Sequence, residues 1–441
     1  MPFKEFASRL VSLPYEMIFK ERMSNDVIDL AMGTSHAAIG TLFGALITFV
    51  FTILAARILG PANFGNFNLI SVIGAIFGLS MGLSVLPMIL YASRAGDDSE
   101  QTRIISTAYI QIALLTAASV IILVLLSSPL SKILGISITL YLFAVVCAVT
   151  TTFFGLTLNS FRIFFKMKTF SVLNAAQSVV VLLVFLAFIS SDMRSWQSAA
   201  YSLFISYIAI SLISLVYLRK YITLRFDRFW SKRIVHYIQF AIPGSIAGAC
   251  MGVDRILLNI FRTTATVGIY SAYFLPSITV ALMLWTIVNA AFFPFASRSR
   301  DKGSILVKIN KAAPYVAISL VPLFVLVERI AFFFYGRQYQ FSWEIAFFFA
   351  LAAISYFFYQ WYSYLLASEG PRGAQVNARS SIIAFVVLFS LDVVLIPLIG
   401  ILGAILTLIA AYLIGAFYLT LHRQTLDGSL AEAPPTLSGD R

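Results

Sequence analysis

The stretch Ala55–Phe67, AARILGPANFGNF, closes the first long apolar run of the chain, and its pattern returns one half-chain later. At an offset of 203 residues, Pro61-Ala62-Asn63-Phe64-Gly65-Asn66-Phe67 falls on Thr264-Ala265-Thr266-Val267-Gly268-Ile269-Tyr270. Ala62 pairs with Ala265, Gly65 with Gly268, and Phe67 with Tyr270. Without a gap, the same offset pairs Asp98 with Asp301, Phe154 with Phe357 and Asn174 with Asn377. An unbroken register of this length predicts two similar halves in the same orientation. Parallel repeats of this kind occur in transporters whose halves rock against each other.

The surroundings of the repeat are those of a membrane. Of 441 residues, 60% are hydrophobic and 11% charged, and the mean hydropathy is +0.91, a balance that excludes a soluble domain. The net charge of +12 does not point to nucleic acid, because the basic residues sit in short stretches between apolar runs. Cys147 and Cys250 lie inside apolar runs and read as packing residues. His36, His236 and His422 show no metal-ligand spacing, and no metal or cofactor is expected. Lys4, Glu5, Arg9 and Glu16 interrupt the N-terminal segment, which lacks the pattern of a signal peptide.

About 20 apolar residues cross a bilayer. On that measure the chain reads as twelve spans, at 36–56, 66–91, 104–127, 137–161, 171–190, 199–218, 235–260, 267–296, 313–335, 343–367, 380–399 and 401–421. Lys and Arg in the terminal and even-to-odd segments outnumber those in the odd-to-even segments by about four to one, which places both termini in the cytoplasm. The expected organisation is an N-terminal interfacial segment over 1–35, a first lobe over 36–218, a basic cytoplasmic connector over 219–234, a second lobe over 235–421 and a disordered cytoplasmic tail over 422–441. The connector, RKYITLRFDRFWSKR from Arg219 to Arg233, mixes bases with aromatics. It suits a helix lying on the inner membrane surface, as a plain anchor or as a lipid-recognition element.

Gly74, Gly78 and Gly82 in the second span, and Gly244, Gly248 and Gly252 in the seventh, recur at the spacing of close helix packing. Pro87, Pro243, Pro276, Pro294, Pro314, Pro322 and Pro397 are expected to bend spans. The aromatic runs Phe332–Tyr335 and Phe347–Phe349 read as lipid-facing or interfacial. The chain carries no GxxxxGK[ST], HExxH or GxSxG, and no span-to-span loop is long enough for a catalytic domain, so an enzyme is not expected.

The motif ARILGPANFGNFNLI resembles the hallmark of the polysaccharide-biosynthesis, O-antigen-flippase-like family of the multidrug/oligosaccharidyl-lipid/polysaccharide (MOP) exporter superfamily. Val253-Asp254-Arg255-Ile256-Leu257-Leu258, followed by Val267–Tyr273, is similar to that family's seventh span and its exit. Asn159-Ser160-Phe161-Arg162 and Ser368-Glu369-Gly370-Pro371-Arg372 resemble its cytoplasmic turns after spans four and ten, and Glu328 stands where the family is usually apolar. The resemblance runs from about residue 30 to 420. It implies an all-α integral membrane protein with two pseudo-symmetric six-helix lobes. It also implies an inner-membrane flippase that moves a polyprenyl-pyrophosphate-linked oligosaccharide to the outer leaflet for surface polysaccharide assembly. Membrane lipids, polysaccharide-assembly proteins and a coupling H+ or Na+ are the expected partners, with no nucleic acid. A multidrug cation extruder on the same fold, a membrane-embedded polymerase and a non-transporting scaffold are the alternatives.

A doubly charged head crossing about 30 Å of hydrocarbon needs cations along its path, and arginine binds phosphate oxygens in a fork while staying charged. Asp254 and Arg255, inside the seventh span, either line the path or pair with neighbouring helices. Arg57, at the end of span one, is a substrate contact or an interfacial anchor. Arg162, Lys166 and Lys168 form a cytoplasmic cluster, either an entry site for the pyrophosphate or an orientation signal. Asp392, a lone carboxylate deep in span eleven, is the candidate ion-coupling residue, the other reading being a hydrogen-bonded structural carboxyl.

Overall fold

A computed structural model describes residues 25–164, 166–223, 225–238, 252–298, 302–368 and 371–422. All regular elements among them are helical. The first lobe comprises α1 (Asn25–Gly82), α2 (Val85–Ala92), α3 (Asp98–Leu125), α4 (Ser127–Ile133), α5 (Ile138–Ile163), α6 (Met167–Ser190) and α7 (Trp196–Leu218). A single 3-10 turn, Arg219–Tyr221, and a helix described over 228–238, α8, form the connector. The second lobe comprises α9 (Val253–Phe261), α10 (Thr264–Phe274), a π-helical turn (Leu275–Thr279), α11 (Val280–Arg298), α12 (Lys302–Tyr335), α13 (Trp343–Ala367), α14 (Pro371–Ile399) and α15 (Ile401–Leu421).

Ten helices among the described residues are long and apolar enough to cross a membrane. One of them, α1, carries the first two sequence-read spans end to end. They meet at Gly60, whose φ of 71° and ψ of 171° leave the helical region at a value that glycine tolerates and L side chains rarely adopt. Pro61 follows at the first position of the new helix, where its missing N–H costs nothing. Glycine and proline thus stop one helix and start the next in consecutive residues.

Several edges differ from the sequence reading. Residues 25–35 belong to α1 rather than to a separate surface helix, because the backbone ladder runs unbroken from them into the first apolar run. The span read over 66–91 breaks after Gly82, and Val85–Ala92 forms its own short helix. The third span starts at Asp98, ahead of the apolar residues. Asp97 caps it by accepting from the Glu100 amide (2.6 Å), while the Glu100 carboxylate accepts from the Gly96 amide (2.8 Å). The backbone and side-chain donors of Glu100 and Ser99 hold the exposed Asp97 carboxyl below its ordinary range. In the connector, helix begins only at 228. Readings on residues 1–24, 239–251 and 423–441 lie outside the described residues, among them Cys250, Gly244, Gly248 and Pro243, as does Asp301.

The lobes meet at the end of the bundle where the repeated motifs lie, here called the seam end. A Cβ on Gly65 would stand 1.9 Å from the Thr264 carbonyl oxygen, and one on Gly268 would stand 1.9 Å from the Pro61 carbonyl oxygen. Thr264 and Gly268 are the repeat partners of Pro61 and Gly65. The contact therefore maps onto itself when the lobes are exchanged, as a two-fold interface requires. Around this crossing Tyr339 Oη donates to the Ala56 carbonyl (3.2 Å), Gln338 Nε2 to the Arg57 carbonyl (3.1 Å), and Asn259 Nδ2 to the Leu134 (3.2 Å) and Gly135 (3.0 Å) carbonyls.

The connector sits at the opposite end and docks on the first lobe. Trp230 and Ile234 are buried with Met88, Ala92, Ile104 and Ala108. Gln111 Nε2 donates to Ser231, the Asp227 amide to Thr107, and Arg103 pairs with Asp227 at 3.8 Å. Phe226 and Phe229 stay exposed, which suits a helix lying against lipid headgroups.

The glycine spacing in span two has a packing outcome: a Cβ on Gly74 would meet Cys147 Cβ at 2.9 Å, so bare backbone lets α1 lie close on α5. The aromatic runs divide. Phe333 and Phe334 are exposed, but Phe332, Tyr335 and Phe349 are buried, because residues one apart on a helix face different neighbours. Gly65→Ala is expected to lower stability by about 1–3 kcal/mol, since the new methyl meets backbone that can yield only by moving the lobes apart. Gly155→Ala, where nothing lies within 4 Å, is expected to be neutral or to gain up to about 1 kcal/mol from helix propensity. Thermal unfolding of the two purified variants checks both signs.

Candidate functional site

Buried ionisable side chains are unevenly shared. Among the described residues, the buried carboxylates Asp254, Glu328 and Asp392 all belong to the second lobe, while the buried polar groups of the first lobe are Ser, Thr, Asn and Gln. Asp254 precedes the end of α9 by two turns, Glu328 the end of α12 and Asp392 the end of α14, and all three helices end at the seam end.

Each carboxylate is held by a hydroxyl from a neighbouring element. Tyr270 Oη donates to Asp254 Oδ2, and Thr407 Oγ1 contacts Asp392 Oδ1. Ser277 Oγ, on the π-helical turn, contacts Glu328 Oε1. Asp254 Oδ1 also accepts from the backbone amide of Arg255 (2.7 Å). Asp392 Oδ2 and Glu328 Oε2 are buried with no hydrogen-bond partner. Asp392 lies close enough to Asp254 for the two to interact electrostatically, so the structure brings together the seventh- and eleventh-span candidates. Asp254, Asp392, Tyr270 and Thr407 form one polar cluster across α9, α10, α14 and α15.

Arg255 stays within electrostatic reach of Asp254 and Tyr270 but makes no ion pair with the carboxylate. Its guanidinium lies over the Phe274 ring, 4.0 Å from the centroid, and the side chain is half-buried. Its Nε is buried without a hydrogen-bond partner, so the cation is held by an aromatic face and its fork is not consumed by a carboxylate. The partners of Asp254, Tyr270 and the Arg255 amide, lie within its own lobe, so this pairing does not tie the lobes together.

The remaining candidates sit at the two ends of the bundle. Arg57 is exposed at the seam end, beside the carbonyl that accepts from Gln338. Arg162 and Lys166 are exposed at the connector end. Arg162 Nη1 donates to Asn159 Oδ1 (3.2 Å), and its guanidinium faces the Phe170 ring at 5.9 Å. Lys166 Nζ lies 5.7 Å and Lys220 Nζ 4.8 Å from the centroid of Tyr221, whose ring stacks on Phe164 at 4.0 Å. The fold thereby joins two basic segments, the turn after span four and the start of the connector, around a shared aromatic platform. Between α1 and α5 runs a groove of about 310 Å3 lined by Ser71, Gly78, Gly82, Thr151 and Thr152. A larger apolar hollow, about 540 Å3, opens between α3 and α5.

Sequence reasoning missed the three hydroxyls and the contribution of Glu328. Tyr270 stood in the repeated motif, but nothing in the motif marked it as the partner of a carboxylate sixteen residues earlier. Tyr270→Phe is expected to cost about 1–3 kcal/mol, since it leaves a buried carboxylate oxygen without its donor. In a double-mutant cycle with Asp254→Asn, read by unfolding of the reconstituted protein, the coupling should exceed the ~0.6 kcal/mol average of interhelical hydrogen bonds in membranes.

The architecture has relatives of known structure. A multidrug resistance MATE family transporter of the MOP superfamily, in its inward-facing conformation, superposes with a TM-score of 0.66 at 14% identity over 90% of this chain and 100% of that one. The outward-facing conformation of a MATE family transporter gives 0.61 at 14% identity, covering 92% and 99%. A MOP superfamily transporter from Pyrococcus furiosus, described as having a binding pocket of reverse polarity that suggests a different function, gives 0.61 at 15% identity, covering 92% and 100%. At these identities the likeness is one of fold. No curated protein matches by sequence. The model of the family described as polysaccharide biosynthesis protein matches residues 30–300, more than half of the chain, and this places the chain, with its ten membrane-length apolar helices among the described residues, in the polysaccharide biosynthesis protein family.

Proposed function

We infer that this protein is a non-enzymatic flippase of the inner membrane, which carries a polyprenyl-pyrophosphate-linked oligosaccharide from the cytoplasmic to the outer leaflet by alternating access. The observation that carries the reading is the self-matching seam. Two lobes of one orientation are held together at one end by a crossing of bare backbone, the arrangement that rocking about a central path needs. The basic bias of the other end sets it in the cytoplasm, so the seam closes the outer side and the described conformation faces inward.

The chemistry along the path fits such a cargo. Arg162, Lys166 and Lys220 gather exposed charge at the cytoplasmic end, where a pyrophosphate would first be met. Deeper in, Arg255 keeps its fork free of carboxylates. The apolar hollow between α3 and α5 suits an isoprenoid tail that remains in lipid while the head passes. Two negative charges moving outward across a negative-inside potential release roughly 4.6 kcal/mol per 100 mV, from about 2.3 per charge. The Asp254–Asp392 cluster is the site for a coupling H+ or Na+. Thr407 Oγ1 lies 2.8 Å from the Ala404 carbonyl as well as against Asp392. Its one hydrogen cannot serve both oxygens, so a proton or cation at Asp392 completes the contact. A multidrug cation extruder would expose carboxylates to its cargo, whereas Asp254, Glu328 and Asp392 are all fully buried.

Deleting the gene and measuring lipid-linked oligosaccharide by leaflet tests the reading. Cytoplasmic-side accumulation with loss of surface polysaccharide, reversed by the wild-type gene, is the expected result. Unchanged pools with new sensitivity to cationic drugs would replace it with the extruder, and unpolymerised repeats reaching the outer leaflet would replace it with a polymerase. In the same assay Arg255→Ala is expected to lose most transport at normal protein level. Arg162→Gln with Lys166→Gln should slow transport several-fold while a topology reporter stays unchanged; reoriented spans would reduce that cluster to an anchor.

A further inference from the structure

Glu328 belongs to no site assigned so far, and its hydrogen bonds cannot be completed with the hydrogens its neighbours hold. Ser277 Oγ lies 2.6 Å from the Tyr273 carbonyl oxygen and also against Glu328 Oε1. A serine hydroxyl has one hydrogen, and a carbonyl or an ionised carboxylate has none to give. Given to Tyr273, that hydrogen leaves two bare oxygens facing each other at Glu328; given to Glu328, it leaves them at Tyr273. A proton on Oε1 removes the conflict: the carboxyl donates to Ser277 Oγ, and Ser277 donates to Tyr273.

The rest of the surroundings agree. Glu328 is fully buried, and Oε2 has no partner. The groups facing it are Ser277 on the π-helical turn, Tyr273 on α10 and Tyr335 on its own helix. Tyr273 Oη accepts from the Ser342 amide (2.6 Å), and Tyr335 Oη is buried and unpartnered. The adjacent Arg329 points elsewhere, with its guanidinium over Phe341 (5.0 Å) and Trp343 (5.9 Å). On the neighbouring α13 and α1, Glu344 and Arg57 are exposed. Among the described residues the ion pairs within 4.0 Å are Arg103–Asp227 and Arg194–Asp192, so no cation balances Glu328.

The same residues reach the seam. Tyr335 packs on Tyr339 with ring centroids 5.3 Å apart, and Tyr339 donates across the lobe boundary to Ala56. We propose that Glu328 is a proton-binding site, loaded while the seam is closed and discharged to the outer side when the seam opens and water reaches Oε2. The site is separate from the Asp254–Asp392 cluster. It rests on the flippase reading only for the direction of discharge. Its balance is one proton: bound at Oε1 in the closed form, released to water in the open one.

Infrared spectroscopy of the full chain in liposomes, without substrate, tests the site at neutral pH. The expected result is a deuteration-sensitive carboxylic-acid carbonyl band of which one component vanishes in Glu328→Gln and shifts in Ser277→Ala. If Glu328→Gln instead removes carboxylate intensity and leaves the acid band intact, the site is ionised and the proposal is wrong. Should Glu328→Gln fail to accumulate, the Ser277→Ala shift decides alone, and an unshifted acid band overturns the proposal. The link to the seam is read by external maleimide labelling of Ala56→Cys, with both native cysteines replaced by alanine. Measured relative to a constitutively exposed cysteine, which removes the rise of thiolate with pH, labelling should increase several-fold with external pH when Glu328 is present and stay flat in Glu328→Gln; a pH-independent ratio with Glu328 present refutes the link. Neither readout uses the cargo, so a failed leaflet assay would remove the flippase reading and leave this result standing.

Discussion

The close backbone approach of Gly65 and Gly268 to the opposite lobe is the constraint on which the rest depends. At 1.9 Å from a carbonyl oxygen there is no room for a methyl group, so the crossing exists only because both repeats place glycine there. In lipid, helices gain no hydrophobic advantage by associating, and close backbone packing with short hydrogen bonds must supply the attraction. Placing that attraction at one end leaves the lobes closed there. The Gly60-Pro61 break, the Tyr339 and Gln338 hydrogen bonds and the Asn259 contact all gather around the same crossing.

The two lobes share a plan but divide the chemistry. The first is held by hydroxyls, amides and small residues, which stay neutral. The second carries three carboxylates, each two turns below the seam end of its helix and each touched by a hydroxyl from another element. A buried charge in a membrane is costly, so such groups are retained where they pair or exchange ions. The asymmetry means that motion of the second lobe changes the surroundings of buried ionisable groups, while the described interior of the first lobe is neutral.

Much of the fold was legible in the sequence because its signals are one-dimensional. Apolar run length locates spans, and a fixed offset reveals a repeat whatever the tertiary arrangement. The edges were less legible: Asp98 starts a helix ahead of its apolar stretch, because the cap at Asp97 decides where that helix begins. Asp254, Arg255 and Asp392 stood out as charges in apolar runs, but their grouping did not. Asp392 meets Thr407 fifteen residues on and Asp254 far earlier in the chain, and only packing joins them. Glu328 was visible as an anomaly, yet its partner depends on a π-helical turn that shifts the face Ser277 presents; Pro276 marks a bend there but not its π register.

The self-matching seam also bears on ancestry. A contact in which Gly65 faces the partner of Pro61, and Gly268 faces Pro61 itself, is indifferent to whether the two surfaces belong to one chain or to two copies of a half-length chain. Six spans return a chain to the side from which it started, so two copies of such a half would enter the membrane in the same orientation and meet across the same crossing. A half-length homodimer is thus a complete predecessor as far as the seam is concerned. Within one chain, by contrast, the two surfaces need not stay identical, and the buried acids of the second lobe are a difference that a homodimer could not hold.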